Sequence, residues 1–174
     1  DLGVKIFEDT KVTGLDTHNN SVSGVHWVNE FGKGLVKTEN AANCAGMWAR
    51  DFAESHGVTV PLHACEHFYI VTEPVKNLST LPVLRVPDEQ TYYKEDTGKF
   101  LVGAFELVAK PWGMDGIDEN FCFDQLPEDL DHFEPILEKA VNRIPILEKY
   151  GIQTFFNGPE SFTPDDKYLS LIHI

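Results

Sequence analysis

Short stretches of alternating apolar residues fill the first forty residues, and two turns interrupt them. Alternation with a period of two is typical of half-buried β-strands, because successive side chains of a strand point to opposite faces. The turns are His18–Ser21, which contains two asparagines, and Phe31–Gly34, which contains two glycines. Both residue types adopt the backbone angles that tight turns need. The pattern therefore predicts a three-stranded antiparallel meander.

A glycine then joins a short strand-like stretch to a helix-like segment. Residues 41–44 are small or apolar, and Ala45-Gly46 ends them. Helical spacing follows, and Gly57 is expected to end the helix. The apolar side of this helix would carry Trp48, Ala49, Phe52 and Ala53. A strand that turns through a glycine into a helix is the junction that α/β folds place at cofactor phosphates.

Strand signals return between residues 61 and 105. Phe68, Ile70 and Thr72 alternate with the residues between them, and segments 83–85, 92–94 and 100–102 are separated by turns rich in Pro and Asp. Short strands joined in this way predict an antiparallel sheet.

One strongly amphipathic helix is predicted at 131–144. Asp131 and Glu134 resemble a capping box, Pro135 would lie in the first turn, and Pro145 would help end the helix. Its apolar stripe consists of Phe133, Ile136, Leu137, Ala140, Val141 and Ile144. Together with the sheet, this helix predicts a mixed α+β fold.

Composition and charge exclude two classes of partner. The 174 residues include 14 Lys and Arg against 28 Asp and Glu, a formal net charge of −14. Nucleic acids and anionic membranes need clustered cations, so neither is expected as a partner. No apolar stretch reaches the ~20 residues that would cross a bilayer, and the three cysteines, odd in number and far apart, favour a reducing compartment. Because the sequence starts at Asp1 on the approach to a strand, we expect a piece of a longer protein.

Polar side chains crowd at the start of the predicted sheet, in the stretch PLHACEHFYIVTEP. They are His63, Cys65, Glu66 and His67. One interpretation is a zinc site on one strand face, which Cys122 or His132 would have to complete alone. A second is a Cys65 nucleophile with a histidine base, although two residues apart on one strand is poor geometry for that pair. The third is a strand whose polar side chains face solvent. The residues alone leave these alternatives open.

The sequence as a whole resembles the FAD-dependent amine oxidoreductases, and most closely the sarcosine and dimethylglycine dehydrogenases. The resemblance runs from Asp1 to about Leu169, whereas the final LSLIHI departs from the family pattern and suggests a non-native end at 170–174. The matching blocks are VTGLDTHNNSVSGVHWVNEFGKGLVKTENAANCAGMWARDFA, PLHACEHFYIVTEP, LPVLR, YYKEDTGKFLVGAFE, DLDHFEPILEKAVNRIPILEKYGI and NGPESFTPD.

The resemblance implies a division of the chain between two domains. Residues 1–60 would be the C-terminal part of a glutathione-reductase-like FAD domain. Residues 61–156 would form the antiparallel substrate sheet of the D-amino-acid-oxidase-like fold, and 157–174 would return to the FAD domain. The G-x-G-x-x-G loop that cradles the FAD pyrophosphate is expected upstream of Asp1.

The resemblance also implies site residues, with FAD as cofactor and no metal. His67 is similar to the active-site histidine that faces the flavin ring, and Tyr92 to the tyrosine opposite it. We expect both side chains to project from neighbouring strands towards one cavity. Tyr92 and Arg85 would bind the substrate, with Arg85 assisting a carboxylate, unless it makes a surface ion pair. The expected FAD contacts are Val12, beside the adenine, and Cys44, Ala45, Gly46 and Trp48, beside the phosphate and ribityl portion.

The implied reaction is the oxidative demethylation of a small N-methylated amino acid. A hydride equivalent would pass to the flavin, and the resulting imine would hydrolyse to formaldehyde. The full-length protein would have tetrahydrofolate and an electron-transfer flavoprotein as further partners, in the mitochondrial matrix of a eukaryote or the cytoplasm of a bacterium.

Two alternatives to the enzyme interpretation remain. One is a non-catalytic relative that resembles the regulatory subunit of pyruvate dehydrogenase phosphatase, against which the Tyr92-Tyr93 pair argues. The other is a structural piece that has no activity by itself.

Overall fold

The computed structural model describes residues 2–118 and 120–169, and the chain forms two compact units, Asp1–Leu62 and His63–Ile174. The expected non-native end at 170–174 lies outside the described residues. No helix within the described part of the chain is long and apolar enough to cross a membrane.

The first unit contains the predicted antiparallel meander. Asn19 and Asn20 both adopt left-handed φ angles, 52° and 60°. Two successive positive φ angles define the type I′ turn, whose twist suits a two-residue hairpin. The second turn lies slightly earlier than predicted, at residues 30–31, and Gly32 already belongs to the third strand. The three strands are β1 (Lys11–His18), β2 (Ser21–Asn29) and β3 (Gly32–Lys37).

The predicted strand at 41–44 is wrong for the described structure, in which these residues form no regular element. A strand needs a paired neighbour, and no described strand pairs with this segment. The predicted helix that follows is present, but it is only six residues long. A 3₁₀ turn at Gly46–Trp48 leads into α1 (Ala49–Glu54), and Gly57 lies beyond it with a φ of 74°.

The second unit contains the predicted antiparallel sheet, which consists of β4 (His63–Thr72), β5 (Leu84–Val86), β6 (Thr91–Asp96), β7 (Lys99–Ala104) and β8 (Ile152–Phe162). The strands lie in the order β5-β6-β7-β4-β8. The longest pairing joins β4 to β8, from His63 opposite Phe162 to Thr72 opposite Ile152. Residues 157–162, expected to begin the return to the FAD domain, therefore continue the last strand of this sheet.

One face of this sheet packs against α2 (Leu130–Arg143), as the amphipathic pattern predicts. Phe133 meets Phe155 edge to face, with ring centroids 5.5 Å apart. Phe68 and Ile70 are fully buried there, whereas His67, Tyr69 and Val71, which alternate with them on β4, are only partly buried. The alternation therefore separates a core face, under α2, from a second face that points the other way.

The start of α2 differs from the prediction. Asp129 is the N-cap and accepts the backbone N–H of His132 at 3.1 Å, so the capping box of Asp131 and Glu134 is wrong. Lys110 donates to the same Asp129 carboxylate at 3.0 Å and holds it in place. Because the helix begins before Asp131, Pro135 lies inside the helix beyond its first turn.

Candidate functional site

The candidate site lies on the second face of the sheet. Opposite residues in an antiparallel ladder point to the same face. The register therefore aligns one row of side chains across all five strands, and His67, two residues before the β4 member of that row, points the same way. In strand order, the row is Arg85, Tyr92, Gly103, Tyr69 and Phe156.

Tyr92 extends across β7 because Gly103 leaves room for it. A Cβ atom added to Gly103 would lie 2.2 Å from Cζ of Tyr92 and 2.3 Å from its Oη. The phenol end thus occupies the space that any larger residue at 103 would fill. The expectation of neighbouring strands for His67 and Tyr92 is wrong, because β7 lies between β4 and β6. The register places both side chains on one face of the sheet, and the expected common cavity stays a prediction.

Phe105 brings the predicted residues together. Its ring centroid is 5.5 Å from that of His67 and 5.8 Å from that of Tyr92. Cζ of Arg85 lies 4.8 Å above the same ring. A guanidinium over an aromatic face is attracted by the negative charge of that face. The three residues that resemblance selects in the second unit therefore surround one aromatic ring, which sequence reasoning did not select.

Arg85 is exposed, and no carboxylate of the described residues lies within salt-bridge distance of it. The alternative of a surface ion pair therefore has no support within the part of the chain that is described. An exposed guanidinium held by a ring presents a fork of donors that matches a carboxylate.

His67 lies between two carboxylates. Its Nδ1 is 3.0 Å from Oε2 of Glu106, whose side chain is only 4% exposed, and its Nε2 is 3.7 Å from Oε2 of Glu160. Burial by itself would lower the pKa of His67. The hydrogen bond to Glu106 and the negative charges of Glu106 and Glu160 outweigh burial and raise the pKa above the ordinary histidine value.

Burial is the main cause that raises the pKa of Tyr92, with the charges of Glu106 and Glu160 adding to it. The phenol therefore stays protonated at neutral pH and can act as a hydrogen-bond donor that carries no charge.

The sequence analysis did not select Glu106 or Glu160 as site residues. Only the register of β4 against β8 reveals the second of them, two residues beyond the Gly158 that faces His67.

Two neighbours of His67 in the polar cluster, Cys65 and Glu66, are buried. Glu66 accepts from Nδ2 of Asn157 at 2.7 Å and pairs with Lys110 at 3.2 Å, which links β4 and β8 to the N-cap of α2. Cys65 is buried, and burial with the Glu106 charge raises the pKa of its thiol, which disfavours a thiolate nucleophile. Among the described residues, no group of three or more side chains could hold a metal ion.

The expected FAD contacts lie in the first unit. Val12 on β1 and Trp48 at the start of α1 remain 44% and 41% exposed. Ala45 donates its N–H to Oδ1 of Asn43, and Cys44 is exposed. Gly46 has a φ of 54°, with no atom within 4 Å of the position that a Cβ would occupy. Their contacts with FAD stay predictions.

Comparison with known proteins identifies relatives of the whole chain. Sarcosine dehydrogenase, mitochondrial, of Mus musculus is 37% identical over 169 residues, which are 96% of this chain and 18% of that protein. The pyruvate dehydrogenase phosphatase regulatory subunit, mitochondrial, of the same species is also 37% identical over 169 residues, 95% of this chain and 19% of the relative. 4-Methylaminobutanoate oxidase (formaldehyde-forming) of Paenarthrobacter nicotinovorans is 34% identical, over 96% of this chain and 20% of the relative. The chain thus spans about a fifth of the length of these relatives.

A solved structure shows the same fold. L-Proline dehydrogenase from P. horikoshii superposes with a TM-score of 0.70 at 22% identity, covering 94% of this chain and 40% of that one. This likeness confirms the expected α+β fold class with its antiparallel sheet. The profile of the family described as FAD dependent oxidoreductase (DAO) matches residues 1–173. The chain therefore belongs to the DAO family of FAD-dependent oxidoreductases.

Proposed function

We propose that the protein containing this chain oxidises a small N-methylated amino acid, such as sarcosine or dimethylglycine, and releases the methyl group as formaldehyde. The observation that carries the proposal is the convergence of His67, Tyr92 and Arg85 around the Phe105 ring. The names of two relatives, sarcosine dehydrogenase and a formaldehyde-forming 4-methylaminobutanoate oxidase, support the same substrate class.

Each side chain on the second face suits one part of such a substrate. The guanidinium of Arg85 would bind the carboxylate, and the Tyr92 hydroxyl would donate a hydrogen bond to it without adding charge. His67 would control the proton on the amine, which must be neutral before its methyl group can be oxidised. FAD, when bound, supplies the acceptor for the hydride equivalent.

The residues present fit a flavin cofactor. The second face offers aromatic rings, with Tyr69 stacked on Phe156 at 4.6 Å and Tyr92 lying over Gly103. A planar, largely apolar ring system suits such a surface. In the first unit, Gly46 keeps its backbone accessible because no side chain covers it. As part of this proposal, five residues of the first unit contact FAD: Val12, Cys44, Ala45, Gly46 and Trp48.

The location and further partners follow the same reasoning. The mammalian relatives carry mitochondrial names, which supports the mitochondrial matrix for a eukaryotic source, and the bacterial cytoplasm stays a prediction. Tetrahydrofolate and an electron-transfer flavoprotein also stay predictions for the full-length protein.

A non-catalytic regulatory role is the second candidate. It is favoured by the 37% identity to the phosphatase regulatory subunit, which equals the identity to sarcosine dehydrogenase. Chemistry separates the two candidates, because only an enzyme transfers electrons from an amine to its flavin.

The test uses the full-length protein without oxygen. Sarcosine, dimethylglycine and 4-methylaminobutanoate are mixed with it in turn, and the flavin's visible absorbance and formaldehyde are followed. We expect bleaching with at least one of them. Tyr92→Phe should weaken transition-state binding by about 1–3 kcal/mol, since a substrate group loses its donor. Tyr150→Phe is the matched control, because that hydroxyl contacts the backbone of Lys76. A flavin that none of these amines reduces would contradict the proposal and favour the regulatory role.

A further inference from the structure

The β4–β7 ladder is interrupted beside His67. The direct pairing between these strands covers only Tyr69 to Val71, opposite Gly103 to Leu101. After Ala104 the chain leaves β4, whereas on the other side of β7 the N–H of Phe105 still donates to the carbonyl of Gln90, next to β6.

The chain meets β4 again only at residues 110–112. There the N–H of Glu66 donates to Lys110 O, and the N–H of Trp112 donates to Ala64 O, both at 2.9 Å. Residues 105–109 therefore form an excursion from β4, and the backbone N–H of Phe68 lies beside this excursion.

The Glu106 side chain fills that gap. Its Oε1 accepts the backbone N–H of Phe68 at 3.1 Å, which takes the place of the missing ladder bond. Its Oε2 accepts from Nδ1 of His67 at 3.0 Å. Both oxygens of a nearly fully buried carboxylate are thus used, one by the backbone of β4 and one by the ring of His67. A side chain fixed at both oxygens has little freedom to rotate, so it also fixes the ring that it holds.

We propose that Glu106 is a positioning residue that makes Nε2 of His67 the proton acceptor for the substrate's ammonium group, an inference that rests on the proposed amine oxidation. With Nδ1–H donated to Glu106, the neutral ring carries its lone pair on Nε2. The proton of the substrate N–H⁺ moves to Nε2, the amine becomes neutral, and no other bond changes in this step. The buried carboxylate stabilises the imidazolium that results, as carboxylate partners of histidine do elsewhere.

Other groups around His67 modify this effect. Glu160 of β8 lies 3.7 Å from Nε2 and adds to the stabilisation of the imidazolium. The Tyr92 phenol of β6 is uncharged, and the positively charged Arg85 guanidinium of β5 lies over the Phe105 ring, 4.8 Å from its centroid. On β4 itself, Tyr69 and Cys65 share the face with His67, and burial raises the pKa of the Cys65 thiol. Among the described residues, only Glu106 both bonds to the ring and has a buried side chain, so its effect should dominate.

Glu106→Gln is the informative variant, tested in the full-length protein. The glutamine oxygen can still accept the Phe68 N–H, while its amide NH₂ cannot accept Nδ1–H. Deuterium exchange at the imidazole C2 position, followed by mass spectrometry across pH, reports the pKa of each histidine without using activity. We expect the pKa of His67 to lie above the ordinary histidine value in the wild type and to fall in Glu106→Gln.

The pH profile of flavin reduction gives the second measurement. The rate should rise with pH as His67 loses its proton. In Glu106→Gln the rise should move to lower pH, and its plateau should fall about ten- to a hundredfold, the effect of losing one hydrogen bond to a charged group. Glu160→Gln should shift the profile less. Glu95→Gln is the matched control, because that carboxylate also accepts a backbone N–H, from Gly98 at 2.7 Å, and has no hydrogen bond or ion pair with a histidine of the described part of the chain.

An unchanged His67 pKa and an unchanged pH profile in Glu106→Gln would overturn the inference. The function of Glu106 would then be limited to accepting the backbone N–H of Phe68. If Glu106→Gln does not fold, the pKa of His67 in the wild-type protein provides the test. A wild-type pKa at or below the ordinary histidine value would also overturn the inference. If the pKa falls as expected but no N-methyl amine reduces the flavin, the coupling of the two residues stands and the proposed reaction fails.

Discussion

Replacing Gly103 by alanine tests the geometry of the second face directly. The new Cβ would lie 2.2 Å from Cζ of Tyr92, while ordinary van der Waals contact begins at 3.4 Å, so the ring must move by at least about 1.2 Å. Tyr92 is only partly buried and can turn outwards. The loss of stability should therefore stay near the lower end of the 1–3 kcal/mol that overpacking costs.

The loss of turnover should be larger than the loss of stability. A displacement of about 1 Å in a group that positions substrate can lower kcat/KM by about a hundredfold. Steady-state kinetics of the full-length protein measure this loss, and flavin content and the melting temperature show whether the fold survives. Gly151→Ala is the matched control, because the three atoms nearest to its added Cβ all belong to the Glu73 carboxylate, at 3.3 Å and beyond.

A double substitution sharpens the test. If Gly103→Ala acts by moving the Tyr92 hydroxyl, adding Tyr92→Phe should cost little more, because the hydroxyl is already out of place. Fully additive losses would mean that the alanine acts through another route. Wild-type kcat/KM in Gly103→Ala would refute the assignment of Tyr92 to the site.

Three further substitutions test other contacts. Arg85→Lys keeps the charge and loses the planar stack, so KM for a carboxylated amine should rise about fivefold, for about 1 kcal/mol; an equal rise for an amine without a carboxylate would contradict the assignment. Asn157→Ala removes a donor from the buried carboxylate of Glu66 and should lower the free energy of unfolding by about 1–3 kcal/mol in chemical denaturation. Phe133→Ala should lower it by about 3–5 kcal/mol, whereas the exposed Phe123→Ala should change it by at most about 0.5 kcal/mol; similar losses would argue against the packing of α2 on the sheet.

Local patterns predicted the elements well where one face of each element is buried. The alternation at Phe68, Ile70 and Thr72 locates β4 because a strand that packs against α2 must place apolar residues at every second position. The stripe of α2 follows from the same requirement at helical spacing. The asparagines at 19 and 20 mark their turn because the positive φ angles found there strain most other residues.

Non-local contacts explain the errors. Asp129 became the N-cap of α2 because Lys110 holds its carboxylate, and nothing in the local sequence distinguishes it from Asp131. The strand predicted at 41–44 depends on a neighbour that the described residues do not supply. The position of β7 between β4 and β6 is likewise a matter of pairing, which periodicity along one strand cannot determine.

The site shows the same limit most clearly at residues 105 and 106. His67 and Tyr92 came from resemblance, and their common face then follows from register. Phe105 and Glu106 lie just beyond the end of β7, where the ladder with β4 breaks and the two-residue alternation ceases to apply. A regular strand would pair with the Phe68 N–H through its own backbone, and the Glu106 side chain would have no place beside His67. The break in the ladder is therefore what allows a carboxylate to reach the histidine, so the residues that tune the site occur where the rules for a regular sheet fail.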